Sequence, residues 1–341
     1  MNIRRHSNGY NFFGDTNTGV TMRWGTNIKS DPLFAPWPEL ADISISNHCT
    51  KGCEFCYKDS SDNGEFMSLE EYEYVLSSLQ NEQWGNVFQV ALGGGEPLEH
   101  PNFIEILDIT LSKGIVANFT TNGIHISKEI ASKIKDKVGA VAVSVSKAKE
   151  INKDKIKILT DEGIKTNIHF VLDNESIADA IDILKGKYDE SLSNVNGVIF
   201  LTYKPRGRAG LDKCLKMDDK LDKFISLIDK NNANIRIGFD ACFVPLLMKY
   251  TEIDVDYIDS CECGFFSVYI DENLNVKPCS FANDDRFSYN LKHYKFQDIW
   301  MNKYDKYRNN IMRNNCKNEC KSKEACRGKC AYYDSIAFCY K

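Results

Sequence analysis

Six times between residues 41 and 240 the chain repeats one pattern: a short apolar run, then a longer stretch with apolar residues every three or four positions. Short apolar runs bounded by turn residues read as strands covered on both faces, and the three-to-four spacing reads as one buried face of a helix. The pattern predicts strands at 41–47, 87–92, 116–121, 140–146, 166–172 and 197–203. It predicts helices at 68–82, 101–113, 127–136, 152–162, 175–187 and 217–231. Ser68-Leu-Glu-Glu71 has the residues of a capping box at the start of the first helix. Gly114 and Gly163 fall where helix ends favour a positive φ. Strands alternating with helices imply a parallel sheet, and right-handed crossovers curl it. The expected fold class is α/β, with a partial (β/α)6 TIM-like barrel over residues 41–240.

The flanks break this rhythm. Tyr10-Asn-Phe-Phe13 and Val20-Thr-Met-Arg-Trp24, separated by Gly14-Asp-Thr-Asn-Thr-Gly19, read as a β-hairpin, and Pro32, Pro36 and Pro38 mark a linker. Residues 1–40 are therefore expected to form a hairpin and linker. Residues 241–341 are dense in cysteine, with a second hairpin signal over Ser267-Val-Tyr-Ile-Asp-Glu-Asn-Leu-Asn-Val-Lys277. That segment has few apolar residues for a core of its own, and metal cross-links are expected to hold it.

Composition narrows the classes. A chain of 341 residues supports one large or two medium domains. Its net charge of −5 gives no basic footprint for nucleic acid. The N-terminus lacks the apolar stretch of a signal peptide, and no apolar run reaches membrane-spanning length. A cytoplasmic protein without membrane or nucleic-acid partners is expected. Its thirteen cysteines then argue for metal rather than disulfides. Three lie at 49–56, one at 214 and nine between 242 and 339. Cys214, standing alone, is expected to be structural.

Cys49-Thr-Lys-Gly-Cys53-Glu-Phe-Cys56 follows the first strand, and Gly93-Gly-Gly-Glu-Pro97 follows the second. Both fall at C-terminal strand ends, where barrel enzymes build their sites. A 4Fe–4S cluster normally takes four cysteines, so three thiolates leave one iron open to a further ligand. C-x3-C-x-aromatic-C, with Phe55 in the aromatic slot, resembles the signature of the radical S-adenosylmethionine (radical SAM) enzymes. The glycine segment is similar to the one with which that family holds the methionine end of the cofactor. The resemblance implies that Cys49, Cys53 and Cys56 ligate a cluster. It implies that an electron from the cluster cleaves S-adenosylmethionine to a 5′-deoxyadenosyl radical. Gly93, Gly94, Gly95, Glu96 and Pro97 would then line the cofactor site, with Glu96 the candidate partner of its ammonium group. Phe55 would lie against adenine, Ser144 would reach the ribose, and Asn122, Asn167 and His169 are candidates for the mouth. A zinc knuckle is the plainer alternative for the triplet, with His48 as fourth ligand.

Downstream, Cys263, Cys279, Cys316, Cys320, Cys326, Cys330 and Cys339 resemble the SPASM extension carried by a branch of these enzymes. That likeness implies two auxiliary 4Fe–4S clusters, three clusters in all, and makes the C-terminal part a small cysteine-rich iron–sulfur domain. The first cluster would take Cys261 or Cys242, with Cys263, Cys279 and Cys330. The second would take Cys316, Cys320, Cys326 and Cys339. Two departures are visible: Leu274 stands at the pattern's glycine, and three residues rather than two separate Cys316 from Cys320. Zinc held by this region is the alternative.

The resemblance implies hydrogen abstraction by a radical SAM oxidoreductase. The substrate expected first is a ribosomally made precursor peptide, modified by a crosslink, thioether or dehydrogenation. The alternatives are a dehydrogenase or epimerase acting on an amino sugar or amino acid, a sulfatase-maturing type of protein modification, and a non-catalytic iron–sulfur electron carrier. A flavodoxin- or ferredoxin-like protein is the expected electron donor. The 40 residues before the barrel are short for the leader-binding domain many peptide maturases carry, so recognition is expected to need either a separate peptide-recognition protein or the barrel surface. Asp240, where barrel meets extension, is the candidate general base. The charges of Lys204-Pro-Arg-Gly-Arg208 are expected either to meet an acidic group of the substrate or to lie in a solvated loop.

Overall fold

The computed structural model describes residues 2–230, 234–254, 258–314, 326, 330 and 332–336. Seven parallel strands form the barrel wall: β4 (Leu40–Ser46), β5 (Gln89–Gly94), β6 (Val116–Thr121), β7 (Ala140–Val145), β8 (Thr166–Leu172), β9 (Gly197–Thr202) and β10 (Ile237–Phe239). They lie side by side in chain order, so each crossover advances one place along the sheet. The outer layer is α1 (Leu69–Ser78), α2 (Phe103–Ser112), α3 (Lys128–Ile134), α4 (Lys153–Asp161), α5 (Ile177–Leu184) with the single turn α6 (Asp189–Leu192), and α7 (Asp219–Ile228). All six expected strands are present, and β10 is a short seventh.

Alternation decides what each strand offers to each layer. Ala41, Ile43 and Ile45 of β4 are fully buried in one cluster with Tyr72, Val75 and Leu76 of α1. Asp42 and Ser44 consequently face the barrel interior. The capping box at Ser68 is complete, its hydroxyl accepting from Glu71 N and the Glu71 carboxylate accepting from Ser68 N. Gly114 and Gly163 stand at φ +69° and +77°, as expected just past helix ends.

Residues 2–24 form a three-stranded antiparallel sheet, β1 (Asn2–Ser7), β2 (Tyr10–Asp15) and β3 (Thr21–Trp24). The expected hairpin is its β2–β3 part. β1 carries no apolar alternation because its one buried side chain is Arg5, which donates to the Trp37 and Pro38 carbonyls at 3.0 Å. Tyr10 and Phe12 pack on Phe88 and Val116 at the N-terminal ends of β5 and β6. This sheet therefore covers the floor of the barrel, opposite the mouth.

After β10 the chain forms α8 (Val244–Tyr250) and then returns to the sheet. β11 (Ser267–Ile270) pairs in parallel with β4, β12 (Asn275–Lys277) follows as an antiparallel hairpin, and β13 (Tyr289–Asn290) ends a ten-stranded open sheet. α9 (Phe296–Asp298) leads through a wide turn into α10 (Tyr304–Asn314). Val268, Ile270, Val276, Phe296 and Trp300 belong to the same apolar cluster as the barrel. The segment was expected to have a core too small to stand alone, and it instead shares the barrel's, because β11 continues the sheet in register with β4. Among the described residues no helix is long and apolar enough to cross a membrane.

Candidate metal centre and substrate cavity

The loop carrying Cys49, Cys53 and Cys56 leaves β4 at the mouth of the barrel, and all three thiols are free and partly exposed. Burial raises the pKa of Cys49 and Cys53, and Cys49 and Cys56 both add to the shift at Cys53. Glu99 anchors the loop from the next connection. Its carboxylate accepts from Thr50 N at 3.0 Å, Thr50 Oγ1 at 2.6 Å and His125 Nε2 at 3.0 Å. His48, which a zinc knuckle would recruit, has its Nε2 3.3 Å from Glu99 Oε2 and its ring 4.8 Å from that of Phe66.

From the far side, the loop after β9 grips the triplet. Arg208 N donates to the Cys56 carbonyl at 3.0 Å, Arg208 Nε to the Cys53 carbonyl at 3.0 Å, and Arg208 Nη1 pairs with Asp59 at 2.7 Å. A Cβ at Gly207 would stand 2.4 Å from the Cys56 carbonyl oxygen. Arg206 and Lys204 also turn inward. These charges were expected to meet substrate or solvent, and they are instead engaged within the fold.

The glycine segment divides its labour. A Cβ on Gly94 would stand 2.1 Å from Ser44 Oγ, and one on Gly95 would stand 1.9 Å from the His48 carbonyl oxygen, so both allow the second strand end to press against the triplet's lead-in. Gly93 has open space where a side chain would be. Glu96 is 1% exposed and accepts from Thr121 Oγ1 and Asn122 N, both at 2.7 Å, and from Leu98 N at 3.1 Å. Three protein donors thus occupy the carboxylate that the resemblance assigned to an ammonium group. Pro97 is buried and opens a 3-10 turn. Asn122 Nδ2 lies 3.9 Å from Cys49 Sγ.

Beside the triplet lies a cavity of about 480 Å³ lined by Cys53, Phe55, Ser146, Lys147, Glu150 and Asp173. Phe55 packs on Tyr203, Ala209 and Cys214 as well as lining it. Ser144, partly exposed on β7, pairs in register with His169 on β8. Burial pushes the His169 imidazole down to about 4, against the pull of Asp240. Asn167 accepts from Asn196 Nδ2 at the opposite end of the strand and so lies away from the mouth.

A second group of thiols gathers on the other side of the interior. The Cys263 thiol hydrogen-bonds with those of Cys261 and Cys279, and the neighbouring Cys261 and Cys330 help burial to raise the pKa of Cys242. Cys316, Cys320 and Cys339 lie outside the described residues, and Cys326 is buried. Cys214 is buried, with its thiol hydrogen-bonded to the Ser335 side chain. Leu274 stands at φ +65°, the left-handed region where the SPASM pattern has glycine.

Between the two groups the interior is polar. Asp240 Oδ2 pairs with Lys204 Nζ at 2.5 Å, and Asp240 Oδ1 accepts from Thr202 Oγ1 at 2.7 Å. Burial pulls the Lys204 pKa down, but Asp240 outweighs it and raises the pKa. With both oxygens engaged, Asp240 is placed as a counter-ion rather than as a free base. Lys58 Nζ binds Glu272 Oε2 at 2.9 Å and Tyr269 OH at 2.8 Å, and Glu272 also accepts from Ser44 Oγ at 2.7 Å. Burial pushes Asp42 up to about 6, countered in part by Lys58 and the Ser280 hydroxyl. Tyr57, next to Cys56, packs its ring at a 35° tilt and 4.3 Å from that of Phe281, two residues past Cys279. Asp42, Tyr57, Lys58, Tyr269 and Glu272 were not anticipated, although Asp42-Ile-Ser44-Ile-Ser46 alternates polar and apolar in the sequence.

The residue types fit the groups the resemblance implies: three free thiols share one loop at a strand end and space is open beside Gly93, although among the described residues no three ligating side chains are drawn together as a metal site. Residues 43–195 match the model of the Radical SAM superfamily, and that part of the chain is a radical SAM domain. It is 26% identical over 327 residues to the mycofactocin maturase MftC of Mycobacterium tuberculosis, covering 89% of this chain and 77% of that protein. Its fold is that of SuiB of Streptococcus suis, solved with S-adenosylmethionine, at a TM-score of 0.73 with 17% identity over 99% of this chain and 98% of that one. SuiB bound to its precursor peptide SuiA superposes at 0.69 with 16% identity, covering 98% of this chain and 100% of that one. The chain is thus a radical SAM enzyme related to peptide-modifying maturases.

Proposed function

We propose that this enzyme is a SPASM-type maturase that removes hydrogen from a ribosomally made precursor peptide and leaves a crosslink, a thioether or a double bond. One observation carries the reading: the loop bearing Cys49, Cys53 and Cys56 and the loop after Cys279 touch through Tyr57 and Phe281, whose ring centres are 4.3 Å apart. Relatives named as maturases, and a similar fold solved with a precursor peptide, support a peptide as substrate.

In this reading Cys49, Cys53 and Cys56 hold the reactive cluster. Gly93, Gly94, Gly95, Pro97, Asn122, Ser144 and Phe55 hold S-adenosylmethionine, while Glu96 braces the strand ends beneath it. When bound, the cluster supplies the electron that turns S-adenosylmethionine into a hydrogen-abstracting radical. Cys263, Cys279 and Cys330, with Cys261 or Cys242, hold one auxiliary cluster. Cys316, Cys320, Cys326 and Cys339 hold the other. The Lys204–Asp240 and Lys58–Glu272 pairs keep charged walls fixed around the substrate, and Tyr57 and Phe281 exclude water between the loops. A flavodoxin- or ferredoxin-like donor completes the system.

The test is anaerobic reconstitution with iron and sulfide, followed by S-adenosylmethionine and dithionite. Reductant-dependent 5′-deoxyadenosine, absent from a Cys49/Cys53/Cys56→Ala control, is expected. Short peptides encoded beside the gene are then added, and one should lose hydrogen by mass. Product from an amino sugar or amino acid alone would replace the peptide reading, and no 5′-deoxyadenosine under any condition would end the radical one.

A further inference from the structure

We infer that Asp42 and Tyr269 form a substrate-binding pair inside the barrel that reads an amide group of the peptide, Asp42 accepting its N–H and Tyr269 donating to its carbonyl. The identity of the amide rests on the peptide reading above.

Asp42 lies between Ala41 and Ile43, both fully buried toward the helices, so its carboxyl projects into the interior. Tyr269 of β11 is its partner in register. The carboxyl touches both cysteine loops: Tyr57 follows Cys56, Ser280 follows Cys279, and both are its neighbours. The charges around it do not balance. Lys58 is held by Glu272 at 2.9 Å and Lys204 by Asp240 at 2.5 Å. Arg206 Nη1 donates to the Ser280 carbonyl. Among the described residues, no cation pairs with Asp42. A carboxylate withdrawn from water without a counter-ion is costly, and an ionised carboxylate can only accept hydrogen bonds. The Ser280 hydroxyl donates one hydrogen bond to it, and Lys58 acts on it from its own pair with Glu272; the remaining acceptor sites call for a donor from outside the fold.

Tyr269 supplies the complement. Its hydroxyl is 4% exposed as part of a buried side chain and accepts from Lys58 Nζ at 2.8 Å. A hydroxyl that accepts from an ammonium keeps its own proton to donate. An acceptor and a donor on adjacent strands match the N–H and C=O of an amide, and both emerge from the joint between barrel and extension.

The test uses the reconstituted full chain with Asp42→Asn and Tyr269→Phe, with iron content as the control for folding and loading. The probe is the peptide that the parent enzyme converts. Each variant should raise KM about tenfold or more, with a smaller change in kcat; an unchanged KM in either overturns the pair. If the parent converts no peptide, the functional reading fails separately, and thermal unfolding then decides on Asp42. A higher midpoint for Asp42→Asn marks a charge kept at a cost to stability and supports a binding role. A lower midpoint marks a structural partner and overturns it.

Discussion

Lys204 Nζ lies 2.5 Å from Asp240 Oδ2, and the same ammonium sits 4.4 Å above the ring of Phe281. One buried cation therefore ties the end of β9 to the start of the extension and to the loop after Cys279. Removing one partner of such a pair strands the other charge, a loss of about 3–5 kcal/mol. Lys204→Met is expected to destabilise by that order in denaturant unfolding, and Asp240→Asn by somewhat less because Asp240 is the more exposed partner. The raised Lys204 pKa sets the pH sense. Its contribution is fully present below the ordinary lysine range and is lost only at strongly alkaline pH. If Asp240 were instead a free base, Asp240→Asn would abolish peptide conversion with little change in stability.

Glu96 can be tested as a brace against its alternative as a cofactor ligand. Its carboxylate closes hydrogen bonds to Thr121 and Asn122, and Asn122 in turn reaches Cys49. In Glu96→Gln the new amide N–H would face donors, leaving buried groups unsatisfied at about 1–3 kcal/mol. Lower stability of the cofactor-free protein is expected, accompanied by weaker S-adenosylmethionine binding in titration. Weaker binding with stability intact would return Glu96 to the ammonium.

Much of this architecture is legible in the chain, for reasons that differ by element. The six barrel strands appear within two residues of their expected positions because each is an apolar run covered on both faces. β10 is only three residues long and contains Gly238, and β1 buries a single arginine, so neither carries a hydrophobic signal. The cysteines stand out because their chemistry demands spacing. Lys204 and Arg208 do not, since a charged loop reads as solvated until its partners are known, and those partners lie 36 and 149 residues away. Asp42 was hidden for the opposite reason: one acid within an apolar run does not disturb a strand. Leu274 breaks the SPASM glycine pattern but keeps the backbone that glycine would serve, at φ +65° with its side chain 1% exposed. Burial of the isobutyl group offsets the strain of that conformation.

The grip of the β9 loop on the triplet gives an unusual ordering of substitutions. Arg208→Ala removes two side-chain bonds, one of them to the exposed Asp59, and keeps the backbone bond to Cys56. Its stability cost should be about 1 kcal/mol or less. Gly207→Ala adds one methyl group, yet that carbon would meet the Cys56 and Tyr57 carbonyl oxygens at 2.4 and 2.7 Å, from a residue at φ +64°. Backbone would have to move, and the backbone there carries the ligand. Gly207→Ala should therefore lose iron to a chelator faster than Arg208→Ala does, and hydrogen exchange over 53–59 should rise more. The reverse order would mean that the guanidinium, not close packing, holds the loop.

Two interior groups should oppose each other in acid. His169 has a folded pKa of about 4, below its ordinary value, so the imidazole protonates more readily in the unfolded chain. Its contribution is present above about pH 6.5 and is lost as pH falls toward 4, by up to about 3 kcal/mol. Asp42 has a folded pKa of about 6, above its ordinary value, so it burdens the fold at neutral pH. That burden lifts as pH falls through 6 toward the usual carboxylate range, by a similar amount. His169 faces Asp240 and Thr120, while Asp42 faces Lys58, Tyr57, Tyr269 and Ser280. Neither group acts on the other, so the two effects should add independently and nearly cancel in the parent. Unfolding midpoints between about pH 7 and pH 5, each taken relative to the parent at equal iron loading, separate them. His169→Gln should gain stability against the parent as pH falls, because only the Asp42 relief remains. Asp42→Asn should lose stability against the parent over the same range, because only the His169 penalty remains. Parallel curves for all three proteins would mean that both groups see more water than their places in the barrel interior imply.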